Sequence, residues 1–232
     1  LAAMCNKGDE IIIPAPYWVS YPEMVKLVDA KPVIVQTNEK TEFRMTAKQL
    51  KKAITPKTKA LILCSPSNPT GSVYTRSEIE EIAAVVKKSG IYVISDEIYE
   101  KVIYDGAQHF SIGSIDAVKD LVITVNGVSK AYSMTGWRIG YLSAAKLIVD
   151  AAEKVQSQVT SNPNSIAQKA ALAAISGPET EVTYMVGEFK KRRDYIVREL
   201  NALPGVTCLT PQGAFYVFPN VSTFFGKSFN GK

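Results

Sequence analysis

The sequence predicts an α/β protein: a three-layer αβα arrangement around a mostly parallel sheet, followed by the start of a smaller α+β domain. Three observations carry this prediction. Short β-prone runs alternate with helical periodicity up to about residue 145, helix follows helix after that, and β-prone runs return beyond Gly205. The composition, 46% hydrophobic and 21% charged, supplies a sizeable core and shows no sign of disorder.

The runs 10–13, 32–35, 59–64, 91–95, 121–125 and 139–143 read as strands, each short and apolar and most bounded by turn-forming residues. Residues 17–27 are a helical candidate, and so are 46–54, capped by Thr46 with Ala47, Leu50, Ala53 and Ile54 as its apolar side. The clearest helix is 75–88. Thr75 and Glu78 form a capping box there, and Ile79, Ile82, Ala83 and Val86 recur at helical spacing. Strand–helix–strand alternation implies parallel strands with helices on both faces. Helices at 146–158 and 165–175 precede a long one at 179–203, with Val182, Met185, Val186, Phe189, Ile196, Val197 and Leu200 along one side. Gly205 ends it, and 206–209 and 214–218 read as strands of a new unit. The division is therefore a large unit at 1–180, a connecting helix at 181–203 and the incomplete beginning of a small domain at 204–232. The apolar start 1–4, without an initiator Met, reads as the inside of an element, so the sequence is expected to be the centre of a longer chain.

Twenty-seven Lys+Arg against 22 Asp+Glu give a charge of +5, spread along the chain. The clusters Lys51-Lys52, Lys87-Lys88 and 190–193 read as solvated helix faces, and no stripe or motif suggests nucleic acid. The longest apolar run, 170–175, is too short to cross a bilayer, and no secretory leader opens the sequence. Cys5, Cys64 and Cys208 are odd in number and widely spaced, which argues for a reducing, cytoplasmic setting and against a disulfide frame or structural zinc. His109, the single histidine, lies in a turn-like polar stretch and reads as an exposed loop residue. Proton transfer is then expected from another group.

Gly226-Lys227-Ser228 lacks the upstream glycine of a phosphate loop, and the sequon at Asn220 is a chance match. The informative polar residues follow the predicted strands, where open α/β sheets bind ligands. They are 14–21 (PAPYWVSY), 65–71 (SPSNPTG), 95–99 (SDEIY) and 129–140 (SKAYSMTGWRIG). Singly, Asn68 reads as a turn, Asp96 as a helix N-cap, Lys130 as a solvated lysine and Trp18 as core. Together they form one ordered set.

That set resembles the pyridoxal-phosphate-dependent enzymes of fold type I, specifically the class I aminotransferases and their bacterial aspartate/prephenate subgroup, along essentially the whole chain. The resemblance implies a major domain of that fold, with pyridoxal 5'-phosphate as cofactor. It gives Lys130 as the attachment point and proton carrier, Asp96 as partner of the ring nitrogen, and Tyr99 and Asn68 as donors to the ring oxygen. It further implies Trp18 stacked on the ring face, and Ser129 and Arg138 on the phosphate. A lysine whose pKa is lowered by burial and a cationic neighbour suits general-base work, in keeping with the scarcity of histidine.

By the same resemblance the glycine-rich phosphate loop and a tyrosine shared between subunits lie before Leu1, and the arginine for the substrate carboxylate lies after Lys232. Residues 160–164 align with a loop that carries a substrate-reading arginine in some relatives; none occurs here. The implied function is amino transfer between an amino acid, aspartate favoured, and a 2-oxo acid, by a homodimer with neither nucleic-acid nor membrane partners. The alternatives are a β-lyase or synthase on the same cofactor, or the cofactor-sensing domain of a transcriptional regulator.

Overall fold

The computed structural model describes residues 1–228. Six strands are formed by β1 (Glu10–Ala15), β2 (Lys31–Gln36), β3 (Thr58–Cys64), β4 (Tyr92–Asp96), β5 (Val122–Gly127) and β6 (Gly140–Ser143). Six helices accompany them: α1 (Ser20–Lys26), α2 (Ala47–Ala53), α3 (Arg76–Ser89), α4 (Lys146–Val159), α5 (Ser165–Ser176) and α6 (Thr180–Ala202). The strand order is β2-β1-β3-β4-β5-β6. All neighbours are parallel except β5 and β6, which pair antiparallel.

Alternation along the strands builds a core on each face of the sheet. On one face Ile12, Leu61, Leu63 and Val93 meet Leu50 of α2 and Ile79, Ile82 and Val86 of α3. On the other, Ile11, Ile13, Ala60 and Ile62 meet Tyr21 and Val25 of α1. The predicted caps are present. Thr46 and Thr75 both close capping boxes, and Gly90 ends α3 in the left-handed region at φ 69°.

Four expectations are corrected. Neither 206–209 nor 214–218 forms a strand; the segment makes only the isolated bridges Ile103↔Gly213 and Thr207↔Asn220. Its amides go to loops instead, Gly213 N to Gly71 O at 2.9 Å and Ala214 N to Val102 O at 2.9 Å. Residues 229–232 of the proposed small domain lie outside the described residues. On α6, only Val182, Arg193 and Val197 are buried, and Ile196 is exposed. Arg193 is thus no solvated residue. Its Nη1 lies 2.6 Å from Asp105 and donates to Pro211 O at 2.9 Å, and the guanidinium covers the Tyr104 ring. His109 is likewise half-buried, its Nε2 2.9 Å from Oε2 of the buried Glu97.

Candidate functional site

The carboxyl ends of β1, β3, β4 and β5 open on one edge of the parallel sheet, and the polar groups singled out in the sequence follow them. Register fixes the centre of this edge: Asp96 closes β4 opposite Cys64 of β3 and Val125 of β5. Successive side chains there point to opposite faces. Ser95 and Glu97 turn one way, where Glu97 Oε1 accepts from Ser95 and Ser111 at 2.8 and 2.7 Å. Asp96 turns the other way, toward α1. Its Oδ2 accepts the Tyr21 hydroxyl at 2.6 Å and its Oδ1 accepts Ile98 N–H at 3.2 Å.

No helix follows Asp96, so its expected role as a helix N-cap is replaced by the cap of a turn, with Glu100 N bonded to Glu97 O at 2.9 Å. The turn delivers Tyr99 inward, 2% exposed. Burial pushes the Asp96 carboxyl up, while Tyr21, the Ile98 amide and the nearby Lys130 ammonium pull it back down. Glu97 is held below its ordinary value, burial being outweighed by bonds from His109, Ser111 and Ser95. Beneath Tyr21, burial and the Asp96 charge push the Cys64 thiol up to about 12, which leaves it a neutral packing group.

The loop after β3 brings Asn68 to the same place. Its fold depends on Gly71, at φ +68°, where an added Cβ would run into Pro211 and stand 2.7 Å from Gly213 O. Gly213 in turn lies so close to Pro66 that a Cβ would come within 2.7 Å of it. These two contacts seat residues 211–216 against the site. There Tyr216, distant in sequence, puts its hydroxyl 2.6 Å from that of Tyr99, and Asn68 Nδ2 donates to it at 3.4 Å. Phe215 packs edge-on against Tyr99 with ring centroids 5.3 Å apart.

Lys130 reaches the group from the end of β5. Its Nζ lies 5.8 Å from the Tyr99 ring centroid and 5.7 Å from that of Phe215, and it enters no ion pair among the described residues. Ser129 is half-buried beside it. Trp18 meets Tyr21 edge-on at 5.5 Å, one side chain removed from Asp96. Arg138 is exposed in the left-handed region at φ 55°, its Nη1 donating to Thr135 O at 2.8 Å. It lines a groove with Trp137, Gln156, Asn162 and Asn164 and makes no described contact with Asp96, Asn68 or Tyr99.

Asn68, Tyr99, Lys130 and, through Tyr21, Trp18 therefore gather near Asp96 with Ser129 next to Lys130 in the chain, and Arg138 stands apart. Sequence reasoning missed Tyr21 as the partner of Asp96, although Tyr21 was in sight at i+3 from Trp18. It also missed Tyr216 and Glu97; no local pattern pointed to Tyr216. The donor set fits an aromatic ring carrying a basic nitrogen and a phenolic oxygen. Asp96 is a half-buried acceptor for the one, and Asn68 and Tyr99 already converge on a phenol oxygen, that of Tyr216. An unpaired primary amine stands beside them on Lys130.

Residues 1–224 match the family model described as aminotransferase class I and II. The chain is 51% identical over 218 residues to an aspartate aminotransferase of Bacillus sp. strain YM-2, covering 94% of this chain and 56% of that protein. It is 48% identical over 233 residues to the aspartate/prephenate aminotransferase of Cereibacter sphaeroides, covering 100% and 58%. A crystal structure of the aspartate aminotransferase from Rhizobium meliloti superposes with a TM-score of 0.95 at 40% identity, covering 97% of this chain and 57% of that one. The chain thus spans little more than half the length of these relatives.

Proposed function

The chain belongs to the class I and II aminotransferases, and from that premise we propose that it supplies the cofactor-binding part of a pyridoxal-phosphate-dependent aminotransferase. The reaction moves an amino group between an amino acid, aspartate favoured, and a 2-oxo acid. The aspartate and aspartate/prephenate activities in the names of the relatives support that substrate class. The observation that carries the reading is the convergence of Asn68 and Tyr99 on one phenol oxygen beside a half-buried Asp96 and an unpaired Lys130.

Pyridoxal phosphate, when bound, supplies an electron sink for negative charge at the substrate Cα. The chain's own residues do the rest. Asp96, whose carboxylate accepts from Tyr21 and Ile98, would hold a proton on the ring nitrogen. Asn68 Nδ2 and the Tyr99 hydroxyl would donate to the ring oxygen, and Trp18 would cover the ring face. Lys130 Nζ is the attachment point and the group that takes up the Cα proton. Ser129 and Arg138 would hold the phosphate, a dianion suited to a guanidinium.

Residues 1–180 form the large unit in this reading, 181–203 the connecting helix and 204–232 the start of a small domain. A homodimer is proposed because Trp137, Tyr141, Leu142 and Leu147 are exposed apolar side chains on and around β6 and α4. Three unpaired cysteines support a reducing cytoplasm. No helix among the described residues is long and apolar enough to cross a membrane.

The test is borohydride reduction of the protein with pyridoxal phosphate, then peptide mapping. The pyridoxyl group is expected on Lys130; a label on another lysine refutes the site. Release of the cofactor's amino form on adding aspartate, and its reversal by a 2-oxo acid, distinguishes transfer from lyase chemistry.

A further inference from the structure

Resting on the cofactor reading above, we propose that Tyr216 is an internal competitor for the cofactor's phenolic oxygen and so sets cofactor affinity. The two groups assigned to that oxygen, Tyr99 and Asn68, are both engaged by the Tyr216 hydroxyl, at 2.6 and 3.4 Å. The chemistry is the same on both sides, an aromatic ring presenting one oxygen to a hydroxyl and an amide N–H. Asn68 has two N–H groups, but Tyr99 has one O–H, which as the donor of this bond serves one oxygen at a time. Tyr216 and the cofactor therefore compete for the Tyr99 donor.

The backbone is built for exchange. Residue 214 is pinned, with Ala214 buried at φ 56°, its N–H bonded to Val102 O at 2.9 Å and its carbonyl accepting the Tyr104 hydroxyl. Beyond that pin, residues 215–217 make no backbone hydrogen bond to the described chain, which is tied again at Phe218 through the Cys208 thiol and at Asn220 through Thr207. Tyr216 can leave its partners without breaking a ladder. Burial and the neighbouring phenol hold Tyr99 well above its ordinary ionisation range, so Tyr99 brings an uncharged hydroxyl to this bond. An ionised cofactor oxygen makes the stronger, charge-assisted bond to the same donors and displaces Tyr216.

Tyr216→Phe keeps the ring that packs on Phe215 and Tyr99 at 5.0 and 5.7 Å and removes only the competing oxygen. Titration of wild type and variant with pyridoxal phosphate, followed by absorbance, is expected to show about fivefold tighter binding by the variant, the worth of one neutral hydrogen bond. The 3-deoxy analogue, which lacks the phenolic oxygen, is expected to bind both proteins equally. Equal or weaker pyridoxal phosphate binding by the variant overturns the proposal, as does an equal gain for the analogue, which would mark a simple cavity effect. If wild type is labelled at Lys130 yet the affinities match, only the role of Tyr216 fails. If wild type takes no label at Lys130, the cofactor reading fails and this proposal with it.

Discussion

The hydroxyl of Tyr21, on the first helix, donates to Oδ2 of Asp96 at the end of the fourth strand, 2.6 Å away and 75 residues on in sequence. Asp96 sits where burial disfavours its charge, and this bond is the foremost influence that restores it. Removing the donor by Tyr21→Phe leaves the ring packing of Trp18 intact but takes a hydrogen bond from a carboxylate. The expected cost is about 1.5 kcal/mol of stability, read by urea denaturation. Weaker pyridoxal phosphate binding should accompany it. An unchanged variant would show that Ile98 and Lys130 suffice.

Asp96 itself carries the larger effect. Asp96→Ala should retain cofactor through Lys130 in the complete enzyme while losing roughly 3 kcal/mol of barrier lowering, or more than a hundredfold in kcat. Near-normal turnover would reduce Asp96 to the cap of its turn.

Asp96 and Glu97 are adjacent and oppositely shifted, and that gives a pH signature. The folded value of Glu97 is depressed below 4.5, so its contribution is present above that pH and is lost as pH falls through the folded value. For Asp96 the folded value is raised above 3.8; the fold favours its protonated form, and the charged form costs stability at higher pH. At neutral pH Glu97→Gln is therefore expected to destabilise, by about 1 to 3 kcal/mol, with the gap closing in acid. Asp96→Asn should stabilise at neutral pH and converge with wild type in acid. Urea midpoints between acid and neutral pH check both signs.

Gly71→Ala combines a left-handed φ of +68° with a collision against Pro211. The expected loss is roughly 2 to 3 kcal/mol, more than left-handed strain alone would cost. Because the same loop carries Asn68, cofactor binding should fall too. Thermal melting and titration separate the two.

Arg193→Ala tests the docking of the long helix. Asp105 is nearly half exposed, so the partner left behind is hydrated, and the full cost of breaking a buried ion pair does not apply. What is lost is the cover on Tyr104 and the donor to Pro211 O, 4.7 Å and 2.9 Å away. About 2 kcal/mol is expected by denaturation. Arg193→Lys should recover only part of it, since one ammonium cannot bridge Asp105, Asp194 and Pro211 as the guanidinium does.

Much of this protein is local and was therefore legible in the sequence. The six strand runs before residue 145, the cap at Thr46, the capping box at Thr75 and the apolar stripe of the third helix depend on neighbours within a turn or a pleat, and each formed where its residues indicated. So did the placement of Asn68, Asp96 and Lys130, because strand ends of a parallel sheet gather on one edge. The tertiary structure decided what local patterns do not encode. Tyr216 belongs to the site through Gly71, Pro66 and Pro211, packed from distant segments. Glu97 recruited the lone histidine, and Arg193 left its basic cluster for Asp105. The segments 206–209 and 214–218 have strand-like composition yet remain irregular, because a strand exists only when a partner strand takes up its amides; here Ala214 N–H goes to Val102 O, and 215–217 have no backbone partner among the described residues.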